Sequence, residues 1–133
     1  MLNIRPAATA DINAIIQILD EADLRYPGEN YDGFWLAEKA GRVVGVVRLE
    51  EHPDFSFLTS LGVANDSLHQ GTAKALLNQV SMQASKPIYL YTIIPEFFRK
   101  FGFVIIPRLP SLPAKSPYGC NKCFPDQCVT MVK

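Results

Sequence analysis

The sequence predicts a mixed α/β fold: one mixed, mostly antiparallel sheet flanked by helices. Three observations carry that prediction. Short apolar runs that suit strands alternate with segments whose apolar residues recur at helical spacing. The run Val43-Val44-Gly45-Val46-Val47 is apolar on both faces, as a central strand covered on each side must be. The chain has 133 residues, 48% of them apolar, which is enough for one sizeable core and too little for two. A single domain over residues 1–133 is therefore expected.

Each element follows from local chemistry. Residues 2–5 suit a first strand, which Pro6 should end. Thr9 is placed to cap a helix carrying Ile12, Ile15, Ile16 and Leu19 on one face. Residues 20–33 are polar and turn-rich, with Pro27-Gly28 as the clearest breaker and room for a short second helix. Phe34 to Lys39 and Arg42 to Glu51 read as strands joined by a tight hairpin at Ala40-Gly41. Asp54 to Ala64 is a further strand. Thr72 to Ala84 is the clearest helix, with Ala73, Leu76, Leu77, Val80 and Ala84 along one face. Pro87 to Ile93 reads as a strand. Pro95 suits the first turn of a short helix that stops at Gly102. Phe103 to Ile106 and Val129 to Val132 are the last strands, separated by a proline-rich loop over 107–117.

Bulk properties exclude several functions. Thirteen basic residues balance thirteen acidic ones, so charge gives no argument for nucleic acid or an anionic membrane. No run of about 18 apolar residues spans a bilayer. The opening MLNIRPAATADI lacks the apolar core of a signal peptide, so the cytoplasm is the expected compartment. Cys120, Cys123 and Cys128 are three thiols where structural zinc wants four ligands, so no metal is expected. Reduced thiols packing a terminal loop are the preferred reading.

The segment LGVANDSLHQGTAKALLNQV carries the chemistry. A strand runs into a polar turn, and a helix starts at the glycine of Gln70-Gly71-Thr72-Ala73 with no acidic residue in its first turn. Helix starts usually place Asp or Glu there. Without one, the unpaired N–H groups are left for another anion, and a phosphate or pyrophosphate fits. Gly71 lets a ligand approach the backbone closely. Neither the dinucleotide fingerprint nor the ATP-type P-loop is present.

These residues resemble a known family. Val63, the turn, Gln70-Gly71-Thr72-Ala73 and Ala75-Leu76-Leu77 resemble the acetyl-CoA loop of the GNAT superfamily of N-acetyltransferases. Pro95 to Phe103, PEFFRKFGF, is similar to that family's late helix, and the order of elements matches over nearly the whole chain. The C-terminal half, with its prolyl loop and Cys-x-x-Cys, resembles the acetyltransferase domains of bacterial N-acetylglutamate synthases. The resemblance implies a GNAT-like fold and acetyl-CoA as cosubstrate. It also implies direct attack by a small-molecule amine, such as that of glutamate. Leu61, Gly62 and Val63 would bind the pantetheine arm, with the Val63 N–H on the developing oxyanion. Leu68, His69, Gln70, Gly71, Thr72 and Ala73 would hold the pyrophosphate.

Two departures from the family pattern stand out. Leu68 replaces the usual Arg or Gln, and Phe98 stands where many members have a proton-donating Tyr. Tyr91 is the candidate replacement acid. Glu50, Glu51 and His52 cluster at a strand end as candidate bases, with Glu51 taken as the catalytic one. Arg48 is the preferred cation for an acceptor carboxylate, among Arg5, Arg25, Arg42 and Arg108. Tyr31 and Trp35 would line the acceptor side. The rival readings are the same chemistry on another small amine or a protein amine, and a CoA-binding module without catalysis. A homodimer is an open assembly for any of them.

Overall fold

The computed structural model describes residues 2–22, 31–67, 71–92, 94–107 and 129–133. Among them, strands β1 (Leu2–Pro6), β2 (Phe34–Lys39), β3 (Arg42–Glu51), β4 (Ser56–Val63), β5 (Ile88–Thr92), β6 (Val104–Ile106) and β7 (Val129–Val132) form one sheet. Its spatial order is β1-β2-β3-β4-β5-β7-β6. Every neighbouring pair is antiparallel except β4 and β5, which are parallel. Helices α1 (Ile12–Glu21), α2 (Thr72–Gln83) and α3 (Pro95–Arg99) complete the chain order. The expected mixed sheet and order of elements hold, with strand and helix ends shifted by a residue or two. The possible second helix before Gly33 and the loop over 107–117 fall largely outside the described residues.

Local sequence explains the frame. Ala40 and Gly41 both adopt positive φ, at 52° and 77°. That pair is what a two-residue turn needs to match strand twist, so Lys39 meets Arg42 directly. β3 is central and covered on both faces, as its valines demand. On one face Ile15, Ile18 and Leu19 of α1 pack with Phe34, Leu36 and Val46. On the other, Leu76, Leu77 and Val80 of α2 pack with Val47, Leu49, Leu58 and Leu90. Each such side chain contributes roughly 1.5–3 kcal/mol on burial. Isolated helices as short as α1 and α2 are marginal, so this packing is what holds them.

The start of α1 departs from expectation. Thr9 opens a 3-10 turn, Thr9–Asp11, and makes no cap bond. The capping acceptor is Asp11, whose carboxylate receives the Ala8 N–H at 2.7 Å. It also receives both terminal nitrogens of Arg5, at 2.8 and 3.0 Å. This is the back-reaching half of a capping box, in which the carboxylate three residues on takes the N–H of the cap residue itself. The Arg5 side chain, then the Ala8 N–H, hold the Asp11 carboxyl down at about 2. A depressed carboxyl stabilises the fold above its ordinary value of 3.8 and loses that contribution as pH falls through about 2. Asp11→Asn is therefore expected to cost about 1 kcal/mol at neutral pH. The gap from the wild type should close on acidification across that interval. Urea melts at neutral and acid pH check this; a gap unchanged in acid would assign the loss to something other than charge.

Candidate active site

The parallel ladder between β4 and β5 is short. Ser56 pairs with Ile88 and Phe57 with Tyr89, and among the described residues no further ladder pair joins the two strands. The cause lies in β4. Arg48 faces Thr59, while Val46 faces Gly62, so Ser60 and Leu61 share one partner position, Val47. That extra residue is a β-bulge, and Ser60 sits at a φ of 55° to make it. A left-handed serine costs roughly 1 kcal/mol, and a bulge bends and twists its strand. β4 accordingly leaves β5, and a gap opens between them. The sequence carries no glycine at Ser60 to announce the bulge, and sequence reasoning missed it.

The gap is edged by backbone from β4. The Ala64 N–H donates to the Val44 carbonyl at 2.8 Å, toward β3. Successive N–H groups of a strand point to opposite edges, so that of Val63 is directed to the β5 side. Leu61 and Gly62 complete this edge. Tyr91 lies two residues beyond the last ladder pair on β5, level with Thr59 on β4. Its ring meets Phe57 edge-on at 4.9 Å.

At the far end of β4 a 3-10 turn, Asn65–Ser67, leads toward α2. Gly71 is the N-cap residue, left-handed at a φ of 83°, and makes no side-chain cap. Helix α2 has no acidic residue in its first turn. Its first bond runs from the Ala75 N–H to the Gly71 carbonyl at 3.0 Å. The N–H groups of Thr72, Ala73 and Lys74 thus have no intrahelical acceptor, and no acid in the first turn offsets the helix dipole. Thr72 is buried, and its methyl lies against Gly45 of β3. A Cβ added at Gly45 would stand 2.7 Å from that methyl and 3.1 Å from Leu76 Cδ1. The lone glycine in the valine run is what lets the helix start press onto the sheet, and it was the available signal. Leu68, His69 and Gln70 lie outside the described residues. Asp66 pairs with Arg42 at 2.8 Å beside an open cleft of about 350 Å³.

A second group of residues lies on the α1 face of the sheet. Val46 packs beneath α1, and Arg48 and Glu50 follow on the same face of β3 by alternation. The Arg48 side chain is only 12% exposed. Its Nε donates to the Asp32 carbonyl at 2.8 Å, and its Nη1 donates to Glu50 Oε2 at 3.1 Å. The other Glu50 oxygen meets His52 Nε2 at 2.7 Å. The His52 ring is stacked on Phe55, with centroids 4.5 Å apart. Thr59 and Phe57, which face Arg48 and Glu50 across the ladder, share this surface with Tyr91.

Other candidates are placed elsewhere. Tyr31 lies on the α1 side, against Phe34, and lines a small cavity of about 180 Å³ with Asp32 and Gly33. Trp35 faces Val47 and packs with the α2 layer, on the opposite side of the sheet from Arg48. Glu51 alternates onto that same opposite face. It is held by Lys86 at 2.8 Å and by the Ser56 hydroxyl at 3.1 Å. It also stands six residues along β3 from the level of Val63, about 20 Å away. Phe98 is a core residue, 7% exposed, in edge contact with Phe97 and Phe103. Cys120, Cys123 and Cys128 lie outside the described residues. No helix among the described residues is long and apolar enough to cross a membrane.

Known proteins share this fold. The family model described as acetyltransferase (GNAT) domain matches residues 30–105. No curated relative matches the sequence. Among solved structures, N-acetylglutamate synthase from Neisseria gonorrhoeae, complexed with coenzyme A and N-acetyl-glutamate, superposes with a TM-score of 0.77 at 19% identity. All of this chain is covered there, and it spans only 35% of that protein's length. Rv2747 from Mycobacterium tuberculosis, in complex with CoA, gives 0.75 at 21% identity over 98% of this chain and 97% of its own. Arabidopsis thaliana Naa50, bound to a bisubstrate analogue CoA-Ac-MVNAL, gives 0.66 at 20% identity over 99% and 97%.

Proposed function

Since this chain belongs to the GNAT acetyltransferase family, we propose that it transfers the acetyl group of acetyl-CoA to the amine of a small amino acid such as glutamate. The observation that carries this reading is the gap between β4 and β5, with the Val63 N–H on its edge and an uncapped helix start beyond it. The pantetheine arm lies in the gap against Leu61, Gly62 and Val63 and supplies the strand partner that β5 no longer provides. The thioester oxygen, as it becomes negative, is met by the Val63 N–H. The pyrophosphate rests on the backbone of residues 68–73, where the helix dipole favours an anion. Arg48 offers the acceptor a guanidinium beside the bulge, with Tyr31 on the same side of the sheet. Its two bonds to described residues use only two of its five donors, so a carboxylate still finds a fork to bind.

The test is a screen. Purified protein and acetyl-CoA are incubated with a panel of amino acids, polyamines and peptides. Thiol release is followed, and acetylated products are identified by mass spectrometry. Release with the amine of a free amino acid as acceptor supports the reading; release only with peptides moves the acceptor to a protein amine. CoA binding without release in every case replaces catalysis with a CoA-binding module.

A further inference from the structure

We propose that the Arg42–Asp66 pair is an exchangeable clasp: Arg42 leaves Asp66 to take the 3′-phosphate of coenzyme A, and Lys39 adds a second cation beside it. This rests on the acetyl-CoA reading above and adds the means by which the chain tells CoA from a cosubstrate without that phosphate.

A pyrophosphate on the start of α2 would carry its ribose and 3′-phosphate outward, one sugar away. A phosphate monoester is close to doubly charged at neutral pH. Residues 64–73, which run into the helix, include no Lys or Arg, and Lys74 is the first cation on the helix itself. The fold brings two more from the β2–β3 hairpin. The Val44 carbonyl accepts the Ala64 N–H at 2.8 Å, and the next residue, Gly45, lies under the Thr72 methyl. The hairpin end of β3 therefore touches both ends of the turn that feeds α2. Arg42 stands three residues before Gly45, about 10 Å along the strand. A ribose and an arginine side chain together cover that span. Lys39, Arg42, Val44, Asp66 and Ser67 line the open cleft of about 350 Å³ at this place.

The pair is built for exchange. Its side chains are 56% and 62% exposed, and an exposed ion pair adds little to stability. Both of its contacts, at 2.9 and 2.8 Å, come from one nitrogen, Arg42 Nη2, so the planar fork of the guanidinium is not matched to the carboxylate. A phosphate dianion brings more charge and oxygens spaced to take that fork. Asp66 keeps a partner when Arg42 leaves, because the Ser67 hydroxyl donates to its Oδ1 at 3.1 Å. Glu21 is the other acid near Arg42, and its carboxylate receives the Asn65 N–H at 3.2 Å.

Calorimetry with CoA and with 3′-dephospho-CoA tests the clasp. The wild type is expected to bind CoA about tenfold or more tightly than dephospho-CoA. Arg42→Ala should lose most of that preference, through weaker binding of CoA alone. Asp66→Asn should bind CoA about two- to fivefold more tightly, since the competing carboxylate is gone, and dephospho-CoA as before. A pair that only held the turn in place would weaken binding in both variants, so the opposite signs are the signature. Should Arg42→Ala fail to fold, Asp66→Asn carries the test by itself, because a damaged fold gives no gain in affinity. An equal loss on both ligands in Arg42→Ala, or an Asp66→Asn that binds CoA no more tightly than the wild type, overturns the clasp alone. A wild type that binds neither ligand overturns the acetyl-CoA reading and the clasp together.

Discussion

Gly71→Asp is expected to abolish CoA binding while leaving the fold intact. Among the described residues nothing lies within 4 Å of a Cβ built at Gly71. The left-handed φ of 83° imposes a backbone cost of roughly 1–2 kcal/mol. Against that, a carboxylate beside the bare N–H groups of Thr72, Ala73 and Lys74 offsets the helix dipole, which contributes about 0.3–1 kcal/mol. Stability should therefore move little. Binding should not survive, because the carboxylate occupies the donors a pyrophosphate needs and repels it. Isothermal calorimetry with CoA reads the loss, and Gly71→Ala separates backbone strain from charge. An affinity unchanged in Gly71→Asp would remove the helix start from the cosubstrate site.

Tyr91→Phe is expected to lower kcat by about 10²-fold with little change in KM. The leaving CoA thiolate needs a proton, and Phe98 has none to give and lies buried among Phe97 and Phe103. Tyr91 stands level with Thr59, one residue from the bulge, where the strands have parted. The substitution keeps the ring on Phe57 and removes only the hydroxyl, so packing is not the variable. A single-turnover rate with the best amine is the measurement. A normal rate would leave protonation to water.

Legibility followed the kind of signal each feature needs. Periodicity and the Ala40-Gly41 turn made the strands, helices and their order readable, because both are local. The uncapped start of α2 was readable for the same reason: absence of an acid is visible in one turn. The bulge was not, since Ser60 looks like any strand residue until its register against Val47 is known. Face assignment also depended on register. Glu50 and Glu51 are neighbours in sequence, yet one joins Arg48 and His52 and the other joins Lys86. Trp35 and Arg48 are separated by the sheet for the same reason. Thr9 does not cap because a 3-10 turn starts at it, with Ala8 at the cap position and Asp11, held by Arg5, reaching back to the Ala8 N–H.

Gly45 has one more effect. The strand that bears it against Thr72 also bears Arg48 three residues on, about 10 Å away along a stiff ladder. On the acetyl-transfer reading, the helix start proposed for the nucleotide and the guanidinium proposed for the acceptor share a single rigid ruler. A donor with a shortened arm is, on that reading, expected to dock its phosphates yet leave its carbonyl short of the amine.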